Sequence, residues 1–246
     1  MPNAPYLDKS VRWRIATGQV RESESRSSEV ADAILDSGVA TEVVRVIGAG
    51  KEADVYLCRE NGDPIAVKVY RFFRTSHRGG RPVKAESMGQ IASREFEMGF
   101  LAWRSGVPVP APLRRVEHLL SMEFIGSGDE PAPRLKDTRP EDPDALLAAI
   151  ADGVESLASA GVVHTDLSPF NILVHEGRPV FIDFASALRV DRLGYSPWMR
   201  LAEAKRALET GLLSLNRYFR RYGASLDAET LVARLVDRLD RFGVAR

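Results

Sequence analysis

The chain predicts an α+β fold of two lobes, a small antiparallel sheet followed by a mainly helical half. Three observations carry that expectation. Short stretches of alternating apolar and polar residues recur between Thr41 and Tyr70, and again from Leu119 to Ile125, which is the period of strands. Apolar residues at helical spacing fill the second half, in stripes through Leu146, Leu147, Ile150, Val154 and Leu157, through Leu201, Ala204, Leu208, Leu212 and Leu215, and through Leu231, Leu235, Val236 and Leu239. Between the halves, Gly126-Ser127-Gly128 offers a hinge. The expected partition is a polar extension over residues 1–28, a first lobe over 29–125 and a second over 126–246.

Size and composition bound the rest. With 246 residues, 44% of them hydrophobic, the chain can bury a full core. No apolar run approaches the roughly 20 residues that span a bilayer, and Met1 to Ser10 lacks the apolar centre of a secretion signal, so a cytoplasmic protein with no membrane partner is expected. The single cysteine, Cys58, cannot form an internal disulfide and falls where a strand should face the core, so it reads as packing. A formal net charge of zero excludes a general pull toward nucleic acid. One local exception is the run Arg71, Arg74, His77, Arg78, Arg81 and Lys84 around Gly79-Gly80, a basic loop suited to RNA phosphates, to an acidic partner or simply to water.

In chain order, Ser28-Glu29 caps a short amphipathic helix through Val30, Ala33, Ile34 and Leu35 that Ser37-Gly38 stops. Thr41 to Val46 reads as the first strand. The following Ile47-Gly48-Ala49-Gly50-Lys51-Glu52-Ala53-Asp54-Val55-Tyr56 places two glycines between alternating strands. Such a loop lets backbone approach phosphate oxygens, although by itself it is equally a plain hairpin turn. In Ile65-Ala66-Val67-Lys68-Val69-Tyr70, Lys68 interrupts an apolar strand. An ammonium there requires an anionic partner, either phosphate or carboxylate, unless the side chain snorkels from an edge strand. Glu95 and Glu97 are the candidate carboxylates, on a helix over Gln90 to Arg104 whose apolar positions Ile91, Phe96, Phe100 and Leu101 are spaced for one face. Helical period does not choose between them. The prolines of Val107-Pro108-Val109-Pro110-Ala111-Pro112 force an extended lead into the strand Leu119 to Ile125. Past it, backbone at Glu123 and Ile125, with Met122 beside them, suits the edge of a planar base.

The most informative stretch is His164-Thr165-Asp166-Leu167-Ser168-Pro169-Phe170-Asn171, followed by Ile182-Asp183-Phe184. Phosphoryl transfer needs one carboxylate to orient an acceptor hydroxyl, with another carboxylate and an amide oxygen to hold the metal on the phosphates. These residues supply that set in that order: Asp166 for the hydroxyl, Asn171 and Asp183 for the metal. Ile172-Leu173-Val174 and Val180-Phe181-Ile182 flank His175-Glu176-Gly177-Arg178-Pro179 as a hairpin, so its two polar ends meet at one edge. The pattern resembles a kinase active site.

Taken together, the segments Gly50 to Tyr56, Arg94-Glu95-Phe96, Val107 to Pro110, His164 to Asn171 and Ile182 to Phe184 resemble the RIO family of atypical protein kinases, from about Val30 onward. The resemblance implies a bilobal protein-kinase-like fold. It implies ATP with Mg2+ (or Mn2+) as cofactors and Asp166, Lys68 and Asp183 as catalytic residues. Gly48, Gly50, Lys51, Glu52, Val55, Lys68, Glu95, Met122, Glu123, Ile125 and Asn171 would hold the nucleotide, and Asn171 and Asp183 the metal. It favours Glu95 as the partner of Lys68. Phe184-Ala185 follows Asp183, and no Ala-Pro-Glu appears later, so no activation segment or peptide-docking helices are expected, as in that family. Family members autophosphorylate or act on protein serine and threonine, and several serve small-ribosomal-subunit maturation, which makes the subunit or its RNA an expected partner. Thr75, Ser76, Ser87 and Ser93 are candidate autophosphorylation sites. The first forty residues are too polar for the winged helix that some members carry. Two other readings compete. Small-molecule phosphotransferases of the aminoglycoside and choline kinase type share the loop pattern but use a larger insertion than Phe124 to His164 allows. A nucleotide-binding scaffold with slow turnover would use the basic loop for its contacts.

Overall fold

The computed structural model describes residues 27–50, 52–70, 88–190 and 197–244. Residues 1–26 of the polar extension, Lys51, the basic run from Arg71 to Lys84, and Thr75, Ser76 and Ser87 lie outside them. The chain divides into two compact units, Met1–Ser93 with Leu113–Met122, and Arg94–Pro112 with Glu123–Arg246.

In the first unit, helix α1 (Ser27–Asp36) precedes strands β1 (Glu42–Ala49), β2 (Ala53–Glu60) and β3 (Asp63–Tyr70). Helix α2 (Met88–Arg104) crosses into the second unit at Arg94, and β4 (Pro112–Val116) and β5 (Leu119–Glu123) complete a sheet in the order β1-β2-β3-β5-β4. Asn61 and Gly62 turn β2 into β3 with φ of 54° and 97°, the left-handed pair that a two-residue hairpin demands. Ile34 of α1 joins Val39, Tyr56, Cys58, Ile65, Val67, Val69 and Leu119 in one core. Burial pushes the Cys58 thiol up to about 12, so it packs as a small apolar group. The first strand runs past its expected end at Val46, because its ladder with β2 continues to Ala49 opposite Asp54.

The second unit opens with a small hairpin, β6 (Gly126–Ser127) against β7 (Glu130–Pro131). The glycine pair expected as a hinge forms a paired turn, with Gly128 at φ 61° rounding it. Helix α3 (Pro143–Ser159) starts at Asp142, whose Oδ1 accepts the Ala145 N–H at 2.9 Å, an N-cap. After β8 (Val162–Val163) come the hairpin β9 (Ile172–His175) and β10 (Arg178–Phe181), the short β11 (Leu188–Arg189) and two long helices, α4 (Pro197–Phe219) and α5 (Ala228–Val244). Leu146, Ile150 and Leu157 of α3 meet Leu208, Leu212 and Leu215 of α4 and Leu231, Leu235 and Leu239 of α5 in the second core. Each is a residue of the expected stripes. Gly153 brings α3 against the fully buried Phe181 ring, where a Cβ would stand 2.8 Å from Cζ.

Helix α2 corrects one expectation. Phe100 is 40% exposed and Phe96 only partly buried, whereas Ile91, Ala92, Glu95, Met98 and Ala102 face inward. Positions 91, 95, 98 and 102 and positions 96, 100 and 103 form two neighbouring stripes on one helix. The stripe of Ile91, Met98 and Ala102 is inside, where Glu95 finds a hydrogen-bond donor that offsets part of the cost of burying it, and the aromatics stack on one another instead, Phe96 on Phe100 at 6.3 Å and Phe100 on Trp103 at 5.9 Å. Among the described residues no helix is long and apolar enough to cross a membrane.

Candidate active site

In the second unit the loop from His164 to Asn171 joins β8 to the β9–β10 hairpin. Its first residue, His164, is buried. The ring's Nε2 faces the Ile182 carbonyl at 2.9 Å, and its Nδ1 accepts the Asp166 N–H at 3.3 Å. Accepting at Nδ1 and donating at Nε2 is the pattern of a neutral imidazole, and desolvation by burial holds its pKa below the ordinary value. Phe184 packs on the ring at 4.9 Å. His164 thus acts as a strut between the loop and the strand end carrying Asp183.

Asp166 and Asn171 are tied directly. The Asn171 Nδ2 donates to the Asp166 carbonyl at 2.8 Å and to its Oδ2 at 2.9 Å. Both amide hydrogens are thereby used, which leaves the amide oxygen as the group that can serve a cation. The register Ile172↔Phe181 puts Asn171 and Ile182 opposite one another, and the Ile182 N–H closes on the Asn171 carbonyl at 3.0 Å. Asp183 follows at φ +69°. That left-handed conformation costs a non-glycine residue roughly 1–2 kcal/mol, least for Asp and Asn, and such outliers gather at functional sites. Immediately after it, the Phe184 N–H donates to Glu95 Oε1 at 3.3 Å, with Glu95 only 6% exposed. Glu97 instead reaches outward to Arg189 at 2.8 Å. Of the two glutamates that helical spacing left equal, Glu95 is the one buried beside the Asp183 segment.

The first unit carries the other expected residues. Gly48 on β1 lies opposite Val55, and Val55 opposite Lys68. The Gly50 N–H donates to the Ala53 carbonyl at 2.9 Å, and a Cβ on Gly50 would come within 2.8 Å of that oxygen, so the turn accepts only glycine. Glu52 is exposed at its tip. Lys68 stands between the buried Val67 and Val69, its ammonium 5.2 Å from the Tyr70 ring. Met122 near the end of β5 is half-buried. In the second unit, the Glu123 N–H and side chain engage Ala111 at 2.9 and 3.1 Å, and the Ile125 carbonyl takes the Ala132 N–H at 2.9 Å.

One brace escaped sequence reasoning. The Lys136 N–H of the single helical turn Leu135–Asp137 donates to the Pro169 carbonyl at 2.9 Å. The Val174 N–H likewise donates to the Pro133 carbonyl at 2.9 Å. Prolines near a catalytic-type loop gave no local signal for this, because the contact is made by residues more than thirty positions apart.

Comparison with known proteins identifies the family. The RIO domain family matches residues 54–231. The RIO-type serine/threonine-protein kinase Rio1 of Haloferax volcanii is 30% identical over 204 residues, covering 75% of this chain and 66% of that protein. The protein of the same name from Methanocaldococcus jannaschii is 35% identical over 161 residues, 60% of this chain and 56% of that one. The chain therefore spans somewhat less than two thirds of the length of these curated relatives. The crystal structure of the Rio2 kinase-ADP/Mg2+-phosphoaspartate complex from Chaetomium thermophilum shares the fold at a TM-score of 0.63 and 20% identity, over 97% of this chain and 80% of that one. With the matched family span running from β2 into α5, and a kinase-like two-lobed α+β fold common to both, the chain belongs to the RIO family.

Proposed function

We propose that the protein is an ATP- and Mg2+-dependent serine/threonine kinase or ATPase of RIO type. The carrying observation is the set at the open end of the β9–β10 hairpin: Asp166 held by the Asn171 amide, with Asp183 beyond Ile182. The donor chemistry fits magnesium. An amide oxygen and a carboxylate are hard oxygen ligands, and Mg2+ needs few from the protein because phosphate and water fill its remaining positions. Asn171 and Asp183 would hold it, and Mn2+ would substitute. When bound, the ion neutralises the charge on the phosphates.

Each residue then has a defined task. Asp166 accepts the proton of the acceptor hydroxyl as that oxygen bonds to the γ-phosphorus, and the bond from phosphorus to the leaving ADP oxygen breaks. Lys68 neutralises phosphate charge. Gly48, Gly50, Lys51, Glu52 and Val55 line the phosphates, where glycine allows backbone N–H groups to come close. Met122 borders the base, and the Glu123 carbonyl and Ile125 N–H are the edge offered to it. The phosphoaspartate of the Chaetomium thermophilum Rio2 complex favours a second acceptor, an aspartate of the protein itself. Asp183 is the candidate here, its carboxylate oxygen taking the γ-phosphoryl group, ADP leaving, and water releasing phosphate. A cytoplasmic role at the small ribosomal subunit, through the Arg71 to Lys84 segment, completes the reading.

Calorimetry and a phosphate-release assay test it. Asp183→Asn keeps a residue type tolerant of positive φ and should lose Mg2+-dependent ATP binding heat and lower turnover by about 100-fold or more. Unchanged binding and turnover in that variant would sink the metal role.

A further inference from the structure

Phe170 is the member of the His164–Asn171 loop to which phosphoryl transfer, as proposed, gives no task. Its side chain is 56% exposed, yet its backbone is held. The Phe170 N–H donates to Ser168 Oγ at 3.3 Å and the Asn171 N–H to the Ser168 carbonyl at 3.0 Å. On the other side, the Pro169 carbonyl accepts the Lys136 N–H at 2.9 Å. Lys136 then extends over the Phe170 ring, its ammonium 5.3 Å from the centroid, and pairs with Asp137 at 2.6 Å. The turn bearing Lys136 is itself anchored, because Leu135 is fully buried and the Thr138 carbonyl accepts the Tyr218 hydroxyl at 2.7 Å. The ring is therefore presented from a fixed loop, backed by a cation that offsets its own charge locally.

Other exposed apolar side chains, such as Met199 and Leu213, ride on the outer surface of α4, where single exposed residues are ordinary. Phe170 differs by position. Its neighbour Asn171 bonds the Asp166 carboxylate at 2.9 Å, so an acceptor hydroxyl delivered to Asp166 brings its neighbouring groups toward this ring. An extended polypeptide advances about 3.3 Å per residue. A side chain one or two residues from the hydroxyl is then within reach of the ring. A ring that is 56% exposed on a loop suits such a chain, which can lie across it, better than a small molecule, whose sites enclose most of its surface.

We infer that Phe170, backed by Lys136, is a specificity-determining residue for the acceptor: it packs against a large apolar or aromatic side chain one or two residues from the accepting serine or threonine of a polypeptide. The inference rests on the kinase reading for its meaning but not for its test. Fluorescence anisotropy of the full chain with two labelled ten-residue peptides, differing only in Phe or Gly beside one serine, measures it without nucleotide. The Phe peptide is expected to bind about tenfold more tightly, the scale of one aromatic pair plus its buried area. That advantage disappears in Phe170→Ala, survives in Phe170→Tyr, and is unaffected by Leu213→Ala, an exposed apolar position on α4. Equal affinity of the two peptides for the unaltered protein, or an advantage that persists in Phe170→Ala, overturns the inference. A peptide preference alongside unaltered ATP handling in Asp183→Asn would instead leave the platform standing and remove the phosphoryl-transfer reading.

Discussion

The two units hold their candidate functional residues by different means. In the second, Asp166, Asn171 and His164 are fastened to one another and to the backbone of Ile182 by side-chain hydrogen bonds of 2.8–3.3 Å. In the first, Gly48, Gly50 and Val55 owe their places to strand register and to the shape of one turn. The contrast matches the chemistry proposed for each. A proton acceptor and metal ligands act through directional contacts that tolerate small errors badly, whereas phosphate charge is met by a flexible ammonium and by backbone at close approach. Side-chain fastening is concentrated where the proposed reaction depends most on geometry.

Breaking the side-chain fastening should have the largest effect. Asn171→Ala removes a proposed metal ligand and unties Asp166 together, and turnover is expected to fall by about 100-fold or more. A steady-state ATP assay showing only a change in KM would contradict the division drawn above. The corresponding change in the first unit is Gly50→Ala, whose methyl group would crowd the Ala53 carbonyl. Its expected signature is a KM for ATP raised about tenfold with kcat largely kept, the pattern of lost uniform binding; a kcat defect as deep as that of Asn171→Ala would erase the contrast. The smallest effect sharpens it from below. Gly211 of α4 lies under the catalytic-type loop, where a Cβ would stand 2.8 Å from Leu167 Cβ and 3.2 Å from its carbonyl. Gly211→Ala should destabilise the second unit by about 1–3 kcal/mol, read as a drop of several degrees in the thermal midpoint, with the displaced Leu167 disturbing Asp166 next to it.

Much of this was legible in the chain because the relevant signals are local. Loop chemistry from His164 to Asn171, the hairpin that follows it and the three leucine-rich helices each depend on residues a few positions apart, and local periodicity reports such relations directly. Where the reading stayed open or failed, the missing information was a distant partner. Glu95 and Glu97 sit on one helix with equal claims, and the choice between them lies with the Phe184 N–H, 89 positions from Glu95. Phe96 and Phe100 have stronger apolar character than Glu95, yet the carboxylate lies inside with Ile91, Met98 and Ala102, its burial offset by the Phe184 N–H.

By itself, the order of residues determined the class of fold, the family and the chemical inventory of the site, since spacing and residue type are enough to specify a motif. Only tertiary structure decided which carboxylate is buried, that Asp183 adopts positive φ, and that Lys136 underlies Phe170. Those outcomes depend on which groups are desolvated together, and desolvation is a property of packed neighbours that no run of adjacent residues contains.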